Sequence, residues 1–120
     1  EAPSRASRKT QKGDVLFSMV RPYLKNIAMV EEDDCIASTG FFVCHTNEKV
    51  SSKYCYYLMQ SSYEVDGLNS FMKGDNSPSI NTGNIYNFLF PVPSLTEQNH
   101  IVSKIEDLFV QLDRISKMIE

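Results

Sequence analysis

The side chains of this chain that can do specific chemistry on a partner are cationic and polar rather than nucleophilic. Arg5, Arg8, Lys9 and Lys12 lie close together near the start, and Arg21, Tyr23 and Lys25 follow. Such groups suit phosphate oxygens, which Arg meets with two parallel N–H donors and Lys with a point charge. Residues 1–30 hold six Lys/Arg against two acids, although the whole chain of 120 residues carries a formal net charge of −3. That asymmetry fits an anionic partner, and it fits a solvated basic loop equally well. A second polar group, Lys73, Asn76 and Ser77, sits in the run Lys73-Gly-Asp-Asn-Ser. Its small polar side chains suit entry into a groove or a plain surface turn.

Catalytic readings find less support. Cys44 and His45 are adjacent, and neighbouring side chains on a strand point to opposite faces, so they do not make a nucleophile–base pair. His100 falls in the first turns of a long helix, as an exposed or interface residue. Cys35, Cys44 and Cys55 with the two histidines lack the spacing of a zinc site. Glu31, Glu32, Asp33 and Asp34 make a solvated acidic turn. There is no Gly-rich phosphate loop and no methyltransferase motif, so no catalytic or metal site is read. An odd number of cysteines without a C-x-x-C pair predicts reduced, mostly buried thiols in a cytoplasmic protein. No apolar run is long enough to span a bilayer, and no signal-peptide pattern opens the chain. Glu1 in place of an initiator Met suggests a start inside a longer gene product.

The strongest signal for a frame is the last quarter, Phe88 to Glu120. A short apolar run breaks at Pro91 and Pro93. Ser94 with Glu97 then makes a capping-box pair at a helix start. From there Ile101, Ile105, Leu108, Leu112, Ile115 and Ile119 recur at spacings of four, three, four, three and four, the a/d seam of a coiled coil. Val102 and Phe109 widen the seam, which predicts contact with a globular body. A helix from Leu95 to Glu120 is roughly 39 Å long at about 1.5 Å per residue. Its pattern is still running at Glu120, so the helix is expected to continue.

Upstream, Glu1 to Gln11 is polar and basic without hydrophobic periodicity, and Lys12-Gly13-Asp14 is a turn signal. Val15 to Val20 has strand length and stops at Arg21-Pro22. Leu24 to Val30 predicts a second strand. Cys35 to Cys44 predicts a third, with a bulge or close backbone approach at Gly40. Ser51 can cap a helix over Lys53 to Gln60, and a second helical piece covers Tyr63 to Met72. Gly74 to Gly83 is a polar loop, and Ile85 to Phe90 returns as a strand before the proline elbow. The expected fold is α+β, a small mixed, β-rich body over residues 1–93 followed by a long coiled-coil helix over 94–120.

Several of these stretches together resemble one family. Lys12-Gly-Asp-Val-Leu-Phe-Ser, Val20-Arg-Pro-Tyr-Leu-Lys-Asn, Ser38-Thr-Gly-Phe, Pro78-Ser-Ile-Asn and Pro91-Val-Pro-Ser-Leu-Thr-Glu-Gln resemble a target recognition domain. That domain belongs to the specificity subunit of type I restriction-modification enzymes, and the resemblance runs from about Ser4 to the C-terminus. It implies a subunit without chemistry of its own, reading a bipartite duplex-DNA sequence through two recognition domains held apart by paired antiparallel helices. It implies methyltransferase and restriction subunits as partners. S-adenosylmethionine, ATP and Mg belong to those partners, and no cofactor to this chain. DNA contact then falls to residues among Arg5, Arg8, Lys9, Lys12, Arg21, Tyr23, Lys25, Lys73, Asn76 and Ser77. The family pattern has further N-terminal strands, a second domain and a second helix, so the chain reads as an expressed fragment or a truncated gene product. Its uncovered seam is expected to pair with a second copy as a homodimer. The rival reading is a protein-interaction module, with the heptad helix as working surface and no role on DNA.

Overall fold

The computed structural model describes residues 6–33, 35–38, 40–73 and 79–119, with the backbone alone for 6–8. The strands are β1 Ala6–Thr10, β2 Val15–Ser18, β3 Ile27–Met29, β4 Cys35–Ser38 and β5 Phe41–Cys44. The helices are α1 Ser52–Leu58, α2 Ser62–Asn69, α3 Thr82–Tyr86 and α4 Leu95–Ile119, and a single 3-10 turn covers Pro22–Leu24. The α+β class expected from the sequence is the observed one.

β2 is the centre of an antiparallel sheet of order β3-β2-β5, and β1 pairs antiparallel with β4 in a separate sheet. Along β2, Val15 and Phe17 are buried while Leu16 and Ser18 are half-buried. That alternation is what a strand with one covered face requires. The register lines up Val15 with Met29 and Cys44, and Phe17 with Ile27 and Phe42. Cys55, Met59, Leu68, Ile80 and Ile85 pack on this face to complete the core. Each large apolar side chain so buried contributes about 1.5–3 kcal/mol. In α2, Gly67 faces the ring of Phe88, which a Cβ at that position would strike.

Several expectations need correction. Residues 1–11, read as unpatterned, include β1. That strand is held by its ladder to β4 and by the Thr10 hydroxyl donating to Cys35 O at 3.0 Å, not by a periodic pattern. The single strand Cys35–Cys44 is two strands in different sheets. At the corner the Gly40 carbonyl accepts the Met19 N–H at 2.9 Å, the close backbone approach that Gly40 signalled. The second strand begins at Ile27 rather than Leu24, because the turn through Pro22 occupies the preceding residues. Ile85–Phe90 is not a strand. α3 takes Ile85, started by a reciprocal capping box between Asn81 and Asn84 at 2.9 and 3.0 Å. α2 stops at Asn69, short of Met72. Cys35 is exposed, against the expectation of mostly buried thiols.

Beyond α3 the chain forms a strap that leads to α4. Alternate carbonyls of this strap are held by side chains instead of a partner strand. Leu89 O accepts from the Tyr63 hydroxyl at 3.3 Å, Pro91 O from the Tyr54 hydroxyl at 2.7 Å, and Pro93 O from Gln98 Nε2 at 2.8 Å. Pro91 and Pro93 have no N–H to leave unpaired there.

Candidate nucleic-acid interface

Two segments singled out from the sequence meet at one end of the central sheet. Val20 and Lys73 each bridge to Ser79, and Ile80 N–H donates to Met19 O at 2.9 Å. Lys73 and Ser79 exchange both backbone hydrogen bonds at 2.9 Å, closing the base of the loop between them. Next to this junction Arg21 and Lys25 flank the 3-10 turn, both left-handed with φ of 47° and 52°. Bulky non-glycine residues rarely adopt that conformation, and it costs on the order of 1–3 kcal/mol each. It is held because Pro22 is fully buried, the turn packs on α2, and Lys25 N–H donates to Pro22 O at 3.0 Å. Arg21, Tyr23, Lys25 and Lys73 are all exposed.

Lys12 lies elsewhere. It stands beyond the opposite end of β2, a strand about 13 Å long at 3.3 Å per residue. There its backbone N–H donates to Asp33 Oδ1 at 2.9 Å, beside exposed Glu31 and Glu32. Gly13, with φ of 94°, turns the chain there, and the buried carboxylate of Asp14 accepts Gln11 N–H at 2.9 Å and meets His45 Nδ1 at 2.7 Å. Lys9 is exposed on β1 opposite Ile36. The side chains of Arg5, Arg8, Asn76 and Ser77 lie outside the described residues.

The long helix is docked rather than merely appended. Ser94 Oγ caps it, accepting Glu97 N–H at 3.2 Å. One turn on, Gln98 is fully buried and all its amide groups are used. Its Oε1 accepts Ser51 N–H at 2.8 Å, and its Nε2 donates to Lys49 O and Pro93 O, each at 2.8 Å. Ser51 in turn caps α1 by accepting Tyr54 N–H at 3.0 Å, so one side chain joins helix, strap and domain. Val102 is buried on the same side, Glu106 accepts from Lys53 Nζ and the Tyr57 hydroxyl at 3.3 Å each, and the Phe109 ring lies 6.1 Å from that of Tyr57. Ile101 and Ile105 are half-buried beside a shallow notch formed by Tyr54, Tyr57, Leu58 and Ser61. Leu108, Leu112, Ile115 and Ile119 are exposed. At 3.6 residues per turn the seam faces roughly a quarter turn away from the docked side.

Two buried features had no reading in the sequence. Ser61 and Glu64 have capping-box spacing, and Ser61 Oγ accepts Glu64 N–H at 3.3 Å. The reciprocal bond is replaced, since Ser61 N–H donates to Leu58 O at 3.0 Å. The Glu64 carboxyl turns inward instead, fully buried, with neither oxygen hydrogen-bonded. Loss of hydration pushes its pKa up to about 7. Burial, and then the Glu64 charge, raise the pKa of Tyr54. The second feature is the neighbouring pair Cys44 and Cys55. Their mutual hydrogen bond and burial hold Cys44 protonated, and the same bond lowers the pKa of Cys55.

The class the geometry defines is a small antiparallel α+β body with a cationic loop junction at one end and a docked helical rod. The type I restriction modification DNA specificity domain matches residues 5–120, and the chain belongs to that family. It is similar to the type I restriction enzyme EcoDI specificity subunit of Escherichia coli, 25% identical over 107 residues, which are 89% of this chain and 23% of that protein. It is also similar to the crystal structure of the HsdS subunit from Thermoanaerobacter tengcongensis, with a TM-score of 0.86 and 39% identity over 98% of this chain and 31% of that one. A structure concerned with complex assembly and conformational transition of the type I R-M system gives a TM-score of 0.84 and 38% identity, with the same coverage. The chain therefore spans about a quarter to a third of the length of these relatives. No helix among the described residues is long and apolar enough to cross a membrane.

Proposed function

We propose that residues 1–93 serve as part of a DNA-recognition domain in a non-catalytic, cytoplasmic specificity subunit, and residues 94–120 as its spacer. The observation that carries this reading is the junction through Ser79, which gathers Arg21, Lys25 and Lys73 at one end of the sheet on two anchored loops. Arg5, Arg8, Lys9, Tyr23, Asn76 and Ser77 are further candidate DNA contacts on the strength of the family resemblance. Lys12 takes a lesser part, since its acidic neighbours oppose a phosphate. Methyltransferase and restriction subunits are the partners, and S-adenosylmethionine, ATP and Mg serve chemistry on those subunits.

Fluorescence anisotropy with duplex DNA over a salt series tests the surface. If Arg21, Lys25 and Lys73 meet three phosphates, log K against log salt has a slope of roughly −2.7, at about −0.9 per neutralised phosphate. Joint replacement Arg21→Gly and Lys25→Gly removes two charges while relieving the left-handed backbone. It is expected to flatten the slope by about two units, whereas Lys12→Ala leaves it nearly unchanged. A slope moved by Lys12→Ala and not by the double variant would relocate the DNA surface to the other end of the sheet.

The exposed half of the seam supports pairing with a second copy, in the antiparallel sense that the family resemblance implies. Leu112→Asp is expected to weaken self-association at least about tenfold, since burying an unpaired carboxylate costs well over 1.4 kcal/mol. The urea midpoint of the globular body should hardly move. Sedimentation equilibrium reads the first quantity. A strict monomer at high micromolar concentration of the unsubstituted chain would sink the pairing.

A further inference from the structure

Cys44, at the end of β5, and Cys55, in α1, share the wall of an apolar cleft of about 270 Å³ with Met59, Phe42, Ile85 and Phe90. Both are free thiols. At the mouth, Tyr86 and Val92 are 77% and 53% exposed, so a small molecule can enter from solvent. Among the described residues no group of three or more His, Cys, Asp or Glu gathers here or elsewhere, which leaves zinc short of the ligands it takes. The remaining sulfur nearby is the soft thioether of Met59, one helical turn from Cys55. A low-dielectric cleft disfavours a charged adduct of two thiolates and accepts a neutral one. Two adjacent thiols beside an apolar recess fit a soft centre that bonds both sulfurs and carries an apolar group.

We propose that Cys44 and Cys55 form a dithiol site for trivalent organoarsenicals, the sulfurs taking the arsenic and the cleft its apolar substituent. In the capture step each sulfur lone pair forms a bond to arsenic of an R–As=O group. The arsenic–oxygen bonds break, and the oxygen leaves as water with the two thiol protons. Arsenic stays trivalent, nothing is oxidised or reduced, and the product R–As(SR)₂ is neutral. Cys35, alone and exposed on β4, has no second thiol with which to chelate and serves as an internal control.

The probe is phenylarsine oxide on the full folded chain, read by intact mass and by mapping cysteines that escape iodoacetamide. One phenylarsenic group per chain is expected, with protection of Cys44 and Cys55 and alkylation of Cys35. Ethanedithiol should reverse the capture, and a monothiol should not. Cys35→Ser should leave affinity unchanged, while Cys44→Ser and Cys55→Ser should each weaken it about a hundredfold, because a chelate depends on high effective concentration. Capture that survives either of those substitutions, capture seen only in urea, or protection of a pair that includes Cys35 would overturn the proposal. So would a folded chain that takes up no probe. The mapping on the unsubstituted protein decides the matter even if a serine variant fails to fold.

Discussion

Gln98→Leu is expected to lower the unfolding free energy by about 3 kcal/mol. The substitution keeps the volume but orphans the Ser51 N–H and the carbonyls of Lys49 and Pro93. An unsatisfied buried polar group costs about 1–3 kcal/mol. Because Ser51 also starts α1, the loss should spread from the helix mount into the domain. Urea unfolding followed by circular dichroism and by tyrosine fluorescence is expected to coincide in the parent chain and to separate in the variant as the rod loosens from the body. Pro91→Ala and Pro93→Ala should each cost less than about 1 kcal/mol, since they act mainly through the unfolded chain. If the prolines prove more costly than Gln98, the elbow owes its stiffness to them and not to the buried amide.

Glu64→Leu is expected to stabilise the chain at pH 8 by on the order of 3 kcal/mol. The carboxyl has a folded pKa of about 7 against an ordinary 4.5. Below the ordinary value it is protonated in both states and contributes no pH dependence. As pH rises through that window the unfolded chain releases its proton first, so stability falls until the folded carboxyl also ionises near pH 7. Above that the penalty is constant. Urea midpoints at pH 4, 5.5 and 8 should fall in the parent chain and lie flatter in Glu64→Leu or Glu64→Gln. Equal pH dependence in parent and variants would mean that the carboxyl is hydrated in solution.

The helix and its seam were legible because their evidence is local. Six apolar residues at heptad spacing, a Ser94 cap and two prolines carry their meaning within a short stretch. β2 was legible for the same reason, its run of Val, Leu and Phe ending at Arg21-Pro22. What escaped depends on distant partners. β1 has no pattern of its own and exists through its ladder with β4, and the apparent strand Cys35–Cys44 divides because its halves pair with different strands. Ile85–Phe90 has the composition of a strand, yet a capping box between two asparagines starts a helix there. In the candidate site, Arg21, Lys25 and Lys73 could be named as cations. Their gathering through Ser79 joins residues more than fifty positions apart, and no local spacing encodes that. Gln98 stood inside a recognised motif without its task being visible, because a glutamine on a helix reads as solvated until its three partners are in place.

The strap before α4 separates two properties that usually travel together. Its inner carbonyls are tied down by tyrosine hydroxyls and an amide, while the backbone N–H groups of Phe90 and Val92 have no hydrogen-bond partner among the described residues. Amide hydrogen exchange reports opened donors, so it is blind to an anchorage made entirely through acceptors. The Phe90 and Val92 amides are therefore expected to exchange early although the carbonyls beside them are anchored, so that an exchange map would mark as loose the segment that fixes the bearing of the rod.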